Sequence, residues 1–295
     1  MKRRWWGRTS VVVLVVATGS LVVAPPAFAR RRPPPSTTTS TATTSTTTTS
    51  TSTTSTTTTT STTTSTTTTA PPPTTTTAPS QPVTGGFDIS WPQCSQTLPA
   101  KPTFAIVGVS NGLAFSDNPC LVAEYTWAAT ASRAPSFYIS TANPGAQSVH
   151  WTEPGPKTCS GTSNDSGCAY NYGWNAASHA LTYVAAQTGA ATGARWWLDI
   201  ETANTWSTTV ALNNADIQGM VDFFVGQSVV VGVYSTRFQW NQITGGLVLA
   251  VPNWLAGASS TAQAIDWCTT ASSFSGGRVT VVQYATSSID TDVTC

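Results

Sequence analysis

The chain of 295 residues has only 8% charged residues and a formal net charge of +1. Seven of its thirteen basic residues precede residue 33, so the region from residue 83 onward keeps six against all twelve acids, a net of −6. That balance excludes a nucleic-acid or polyanion binder, which needs a basic face, and leaves neutral polymers such as glycans open.

Residues 1–29 read as a secretion signal. A basic start, Met1 to Arg8, precedes an apolar run from Val11 to Val23 and the small-residue site Ala27-Phe28-Ala29. Gly19 and Ser20 interrupt that run, which is too short for a membrane span, so no stable membrane insertion is expected after signal cleavage. Residues 30–82 form a disordered linker rich in Thr, Ser and Pro that cannot build a core. Its composition matches an O-glycosylated stalk, and equally a bare spacer. Together these imply a secreted or cell-wall associated protein with a single domain over 83–295.

Seven strand candidates follow in chain order: Gly86–Ser90, Thr103–Ser110, Ser136–Thr141, Arg195–Ile200, Val229–Ser235, Pro252–Ala256 and Arg278–Tyr284. A short eighth is possible near Ile289–Val293. Helices are expected near 118–132, 173–188, 213–227 and 259–268, with Asn213 and Ser259 as N-caps. Continuous apolar strands alternating with helices predict a parallel sheet covered on both faces. The expected fold is an α/β, irregular (β/α) TIM-like barrel; an open doubly wound sheet would want a Gly-rich phosphate loop after the first strand, and there is none. Residues 143–172 read as an excursion over one barrel face.

All six cysteines lie in the domain. An even count behind an export signal predicts three disulfides, and loop sizes favour Cys94–Cys120, Cys159–Cys168 and Cys268–Cys295. With no Cys-x-x-Cys pair and only two histidines, neither a zinc site nor any other metal or cofactor is expected. His179, among Ala and Leu, reads as a core histidine, and His150 has no assignable role.

In such a barrel the functional end is the one at the C-terminal ends of the strands. Asp88, Asp199, Glu201 and either Asp290 or Asp292 fall there, with Tyr138, Tyr234, Trp254, Gln283 and Tyr284 at similar positions. Asp199 and Glu201 close the segment RWWLDIE; at i and i+2 on a strand they share a face, with Cα atoms roughly 6.5–7 Å apart. Neighbouring carboxylates raise one another's proton affinity, giving the acid-plus-carboxylate pair that glycosidic cleavage uses. Other roles are available: Asp88 could cap the turn before Trp91-Pro92, and most of the domain's ten Trp would be core. Trp254 and Trp206 are the better candidates for stacking on a sugar.

The order of motifs carries a resemblance. GFDIS, FAIVGVSNG, WWLDIE, VGVYST, PNWLAG, VVQYATS and the closing IDTDV resemble, across nearly the whole domain, the family 25 glycoside hydrolases, lysozymes that cut peptidoglycan. The resemblance implies Glu201 as general acid, Asp199 orienting the substrate's acetamido group or stabilising the oxocarbenium-like centre, and Asp88 and Asp290 shaping an acidic floor. Asp290 aligns with the Asp of the closing segment better than Asp292. The implied partner is cell-wall glycan, and the chain is expected to be a monomer. The second strand ends Ser110-Asn111-Gly112 where the family has an acid before the Gly, and FYIST replaces a Tyr-His-aromatic pattern. Those departures are the case for the alternative, a catalytically silent barrel that binds wall polysaccharide. Chitinase-type barrels also end a strand in Asp-x-Glu but carry further acids immediately upstream, where this chain has Arg195-Trp196-Trp197.

Overall fold

A computed structural model describes residues 81–284 and 289–295; the expected signal and nearly all of the expected linker lie outside the described residues. Eight strands close a barrel in chain order: β1 (Val83–Ile89), β2 (Phe104–Gly108), β3 (Ser136–Ser140), β4 (Trp196–Asp199), β5 (Val231–Ser235), β6 (Asn253–Ala258), β7 (Val279–Tyr284) and β8 (Asp290–Thr294). Among the described residues five α-helices cover it: α1 (Leu121–Ala128), α2 (Ser166–Thr188), α3 (Val210–Gly226), α4 (Arg237–Thr244) and α5 (Thr261–Thr270). No described helix is long and apolar enough to cross a membrane.

The sheet departs from the all-parallel expectation at its seam. β1 to β7 run parallel, whereas β8 is antiparallel to both β7 and β1. The cause is length: β7 ends at Tyr284 and β8 begins at Asp290, and a parallel crossover needs about a dozen residues or more. Reversal brings the start of β8, not its end, to the rim where β1–β7 finish.

Strand alternation divides the aromatic residues between two cores. Of the consecutive pair in β4, Trp196 faces the helices and packs on Phe137 and Phe224, with ring centroids 5.3 and 4.9 Å away. Trp197 faces the barrel interior with Phe104, Ile106, Trp254 and Val281. Full burial of one such side chain contributes about 1.5–3 kcal/mol or more, so the tryptophan doublet ties the barrel to its helical coat.

The helices also correct the sequence reading. α2 starts at Ser166, well before residue 173, because Asp165 caps it by accepting the N–H groups of Gly167 and Cys168 at 2.7 and 3.0 Å. The Cys159–Cys168 bridge then fastens the excursion to its first turn, and Cys94–Cys120 and Cys268–Cys295 form the pairs that loop sizes favoured. α3 starts after Thr209, so Asn213 is not its cap; its buried amide donates instead to the carbonyls of Ser207 and Ile243. α5 is capped by Ser260 rather than Ser259. α4 was not anticipated at all. His179 lies at the surface, not in the core, 2.9 Å from Asp117. His150 stacks on Phe115 with centroids 3.8 Å apart.

α2 and α3 pack backbone to backbone. A Cβ on Gly219 would lie 2.1 Å from the Tyr170 carbonyl oxygen, and one on Gly173 would lie 2.0 Å from that of Asp216. Gly219→Ala must therefore push the helices apart. It is expected to cost about 2–3 kcal/mol and to lower Tm by about 5–10 °C in thermal unfolding followed by circular dichroism. An unchanged Tm would show that the two helices do not approach this closely.

Candidate functional site

The segment Asp199-Ile200-Glu201 keeps strand alternation past the end of β4. Ile200 points outward and is fully buried in the helical core, leaving Asp199 and Glu201 on the inner face. Every backbone carbonyl of the three is held. The Thr141 hydroxyl donates to that of Asp199, Ser235 Oγ to that of Ile200 at 2.7 Å, and the Trp206 indole N–H to that of Glu201 at 2.7 Å. The strand end is thus fixed from β3, from β5 and from its own following loop.

A cleft of about 130 Å³ opens above the barrel, lined by Asp88, Tyr138, Asp199, Glu201, Tyr234, Trp254, Gln283 and Asp290. Four carboxylates from β1, the β4 end and β8 therefore meet at one mouth. Asp88 and Asp290 stand opposite each other in the β1–β8 register, which the reversal of β8 makes possible. Asp88 does not cap the following turn. Ser90 does that, its backbone N–H donating to Gln93 Oε1 at 3.0 Å.

Of the nine residues singled out in the sequence for this mouth, eight line the cleft and Tyr284 does not. It neighbours Gln283 in β7, so it faces the other side of the sheet and packs toward Leu255, Val282 and α5. Trp254 is only 2% exposed. It forms the cleft floor between Tyr138 and Tyr234, at 6.1 and 4.5 Å centroid distance, and offers no open stacking platform. Trp206 is half-buried and lines a neighbouring polar groove with Thr202, Asn204 and Gln242.

A hydrogen-bond chain crosses the cleft: the Tyr234 hydroxyl donates to Gln283 Oε1 at 2.8 Å, and Gln283 Nε2 donates to Asp88 Oδ2 at 2.9 Å. Beneath it lies Asp292, fully buried, receiving the Trp254 indole N–H at 2.8 Å. The site thus contains a fifth acid. The i, i+2 relation to Asp290 was its only sequence signal. Gln239 of α4 was missed with its helix; it accepts from the Thr202 N–H at 2.6 Å, and its amide lies 3.5 Å from Glu201 Oε1.

Burial dominates the acid–base behaviour. It pushes Asp88 from 3.8 to about 7, with the nearby charges of Asp290 and Glu201 adding to it and the Gln283 hydrogen bond opposing. Asp199 is raised well above the ordinary carboxylate range by burial and then by Glu201 and Asp88. Burial and the nearby Asp88 do the same to Asp292. Burial thus favours proton-bearing carboxyls at Asp199 and Asp292. Among the described residues no cluster of His, Cys, Asp or Glu could hold a metal ion.

The family model of lysozyme-like protein 1 matches residues 172–273 of the chain. The match takes in Asp199, Glu201, Tyr234, Gln239 and Trp254; Asp88, Tyr138, Gln283 and Asp290 lie outside it. No curated protein sequence matches the chain. Among solved structures, the chain is similar to a family 25 glycosyl hydrolase from Bacillus anthracis, at 12% identity over 73% of this chain and 88% of that one, TM-score 0.45. It is similar to the catalytic domain of endolysin ply40 from bacteriophage P40 of Listeria monocytogenes, at 18% identity over 71% and 91%, TM-score 0.44. The modular autolysin LytC from Streptococcus pneumoniae is matched at 14% identity over 70% of this chain and 46% of that one, TM-score 0.48.

Proposed function

We propose that this protein is a secreted glycoside hydrolase that cleaves peptidoglycan glycan strands in the manner of a muramidase. The observation that carries the proposal is the meeting of Asp88, Asp199, Glu201 and Asp290 in one cleft with tyrosine walls and a tryptophan floor. The lysozyme-like match over 172–273, which contains the Asp199–Glu201 pair, supports it.

In this reading Glu201 donates a proton to the glycosidic oxygen as the bond to the anomeric carbon breaks, and positive charge develops on the sugar. Asp199, kept neutral by burial, orients the acetamido group, its Oδ1 being buried without a partner of its own. Asp290 at the rim, joined by Asp88 as it ionises around 7, supplies the negative field that favours the cationic transition state. Gln239 holds the Glu201 side chain from α4. The polar groove beside Trp206, about 320 Å³, continues the binding surface along the glycan.

One feature favours the second reading, a catalytically silent barrel that binds wall polysaccharide. Where the family has an acid before the Gly and a Tyr-His-aromatic run, this chain has Asn111 and Tyr138-Ile139-Ser140, and beside them the buried Ser110 Oγ accepts the Ser140 N–H at 2.9 Å. That corner of the rim is closed on itself. Release of new reducing ends from purified peptidoglycan, measured beside pelleting with the same wall, separates the two readings: release supports the hydrolase, and pelleting without release across pH 4–7 supports the binder.

A further inference from the structure

The opposite end of the barrel carries a second cavity, of about 260 Å³, at the N-terminal ends of β2, β3 and β4. Its inner walls are apolar: Phe104, Ile106, Trp197 and Val281. Its outer edge carries two guanidinium groups, Arg133 and Arg195. These are two of only six basic residues in a domain with twelve acids, yet neither has a side-chain carboxylate within ion-pair distance among the described residues. Arg133 donates to Thr294 Oγ1 at 3.0 Å, and Arg195 lies over the Trp197 ring, 5.6 Å from its centroid. The indole N–H of Trp197 is buried without an acceptor, a state that normally costs stability.

We propose that this mouth binds a small organic carboxylate, its oxygens held by Arg133 and Arg195 and its short apolar body against Phe104, Ile106, Trp197 and Val281. Guanidinium groups match carboxylate geometry through paired N–H donors. The cavity lies below the range of about 300–1,000 Å³ that suits drug-sized ligands, which limits the occupant to a few carbons. The apolar walls favour a monocarboxylate over a fully hydrated anion such as phosphate, whose desolvation they would not repay.

The test is ligand-observed NMR on the purified, oxidised chain at fixed ionic strength, with butyrate, butanol and inorganic phosphate as probes. Butyrate is expected to bind saturably with a Kd of about 1 mM, and Arg133→Gln or Arg195→Gln to weaken it by about tenfold or more. Both arginines are exposed, so the variants should keep the parent's near-UV circular dichroism and Tm. Glu201→Gln, at the other end of the barrel, should leave butyrate binding as it is. Any one of three results overturns the proposal: no saturation by about 50 mM, butanol or phosphate binding as well as butyrate, or folded arginine variants binding it undiminished.

Discussion

Glu201→Gln is expected to reduce release of reducing ends from peptidoglycan by a factor of about 10²–10⁴, the usual contribution of a positioned proton donor. The substitution keeps shape and hydrogen-bonding capacity, so the contact with Gln239 and the carbonyl bonds fixing the strand end remain. What disappears is the transferable proton. Because a proton donor acts at the transition state, the loss should fall on kcat, with wall binding retained in a pelleting assay. Asp199→Asn gives a useful contrast. A side chain that orients a neutral acetamido group loses less when it becomes an amide than one that must deliver a proton, so its defect should be the smaller. Equal release by wild type and Glu201→Gln would remove Glu201 from the chemistry and with it the proposed mechanism.

The oxidised protein is expected to be more stable at pH 5 than at pH 8, against the usual trend for domains whose carboxylates are salt-bridged. Asp88 is raised from 3.8 to about 7 in the folded state. Between those values the folded chain holds a proton that the unfolded chain has released, so stability falls as pH rises through the window and levels off above it. At 1.36 kcal/mol per unit, the two units from pH 5 to 7 give Asp88 alone up to about 3 kcal/mol of this difference, or about 5–10 °C in Tm for a domain of this size. Asp199, Asp292 and Asp216 are raised in the same direction by burial. Asp216, wholly buried in α3 with neither carboxylate oxygen hydrogen-bonded, allows the effect to be tested away from the cleft. Asp216→Asn should raise Tm at pH 8 more than at pH 5. A Tm that climbs from pH 5 to pH 8 would contradict the burial of these acids.

Much of this architecture was legible because it rests on local patterns. The strand candidates were apolar runs of barrel-strand length, and the period of two placed Asp199 and Glu201 on one face with Ile200 behind them. The same period, applied one step further, separates Gln283 from Tyr284. The reversal of β8 follows from a connection too short for a crossover. α4 left a weaker signal: Thr236 accepts the Gln239 N–H at its start and Gly245 closes it in the left-handed region. Yet RFQWNQIT is mostly polar and only eight residues long, so no apolar stripe announced it. The tertiary partners were not legible. Trp254 is a floor rather than a platform because Asp292, 38 residues later, takes its N–H. His179 sits at the surface because Asp117, 62 residues earlier, lies beside it. Such pairings are created by closure of the barrel and leave no trace in local sequence.

The seam between β1 and β8 also bears on when the site comes into being. Glu201 and Asp199 stand near the middle of the domain, but the floor that faces them is joined from its two extremes, Asp88 and Gln283 meeting across 195 positions of chain. A nascent chain still held in a ribosome can present RWWLDIE, but not the acids from β8 that complete the mouth. Contacts this distant in sequence form late, after the entropy of closing so large a loop has been overcome. Assembly order therefore leaves the mouth incomplete until the last strand is in place.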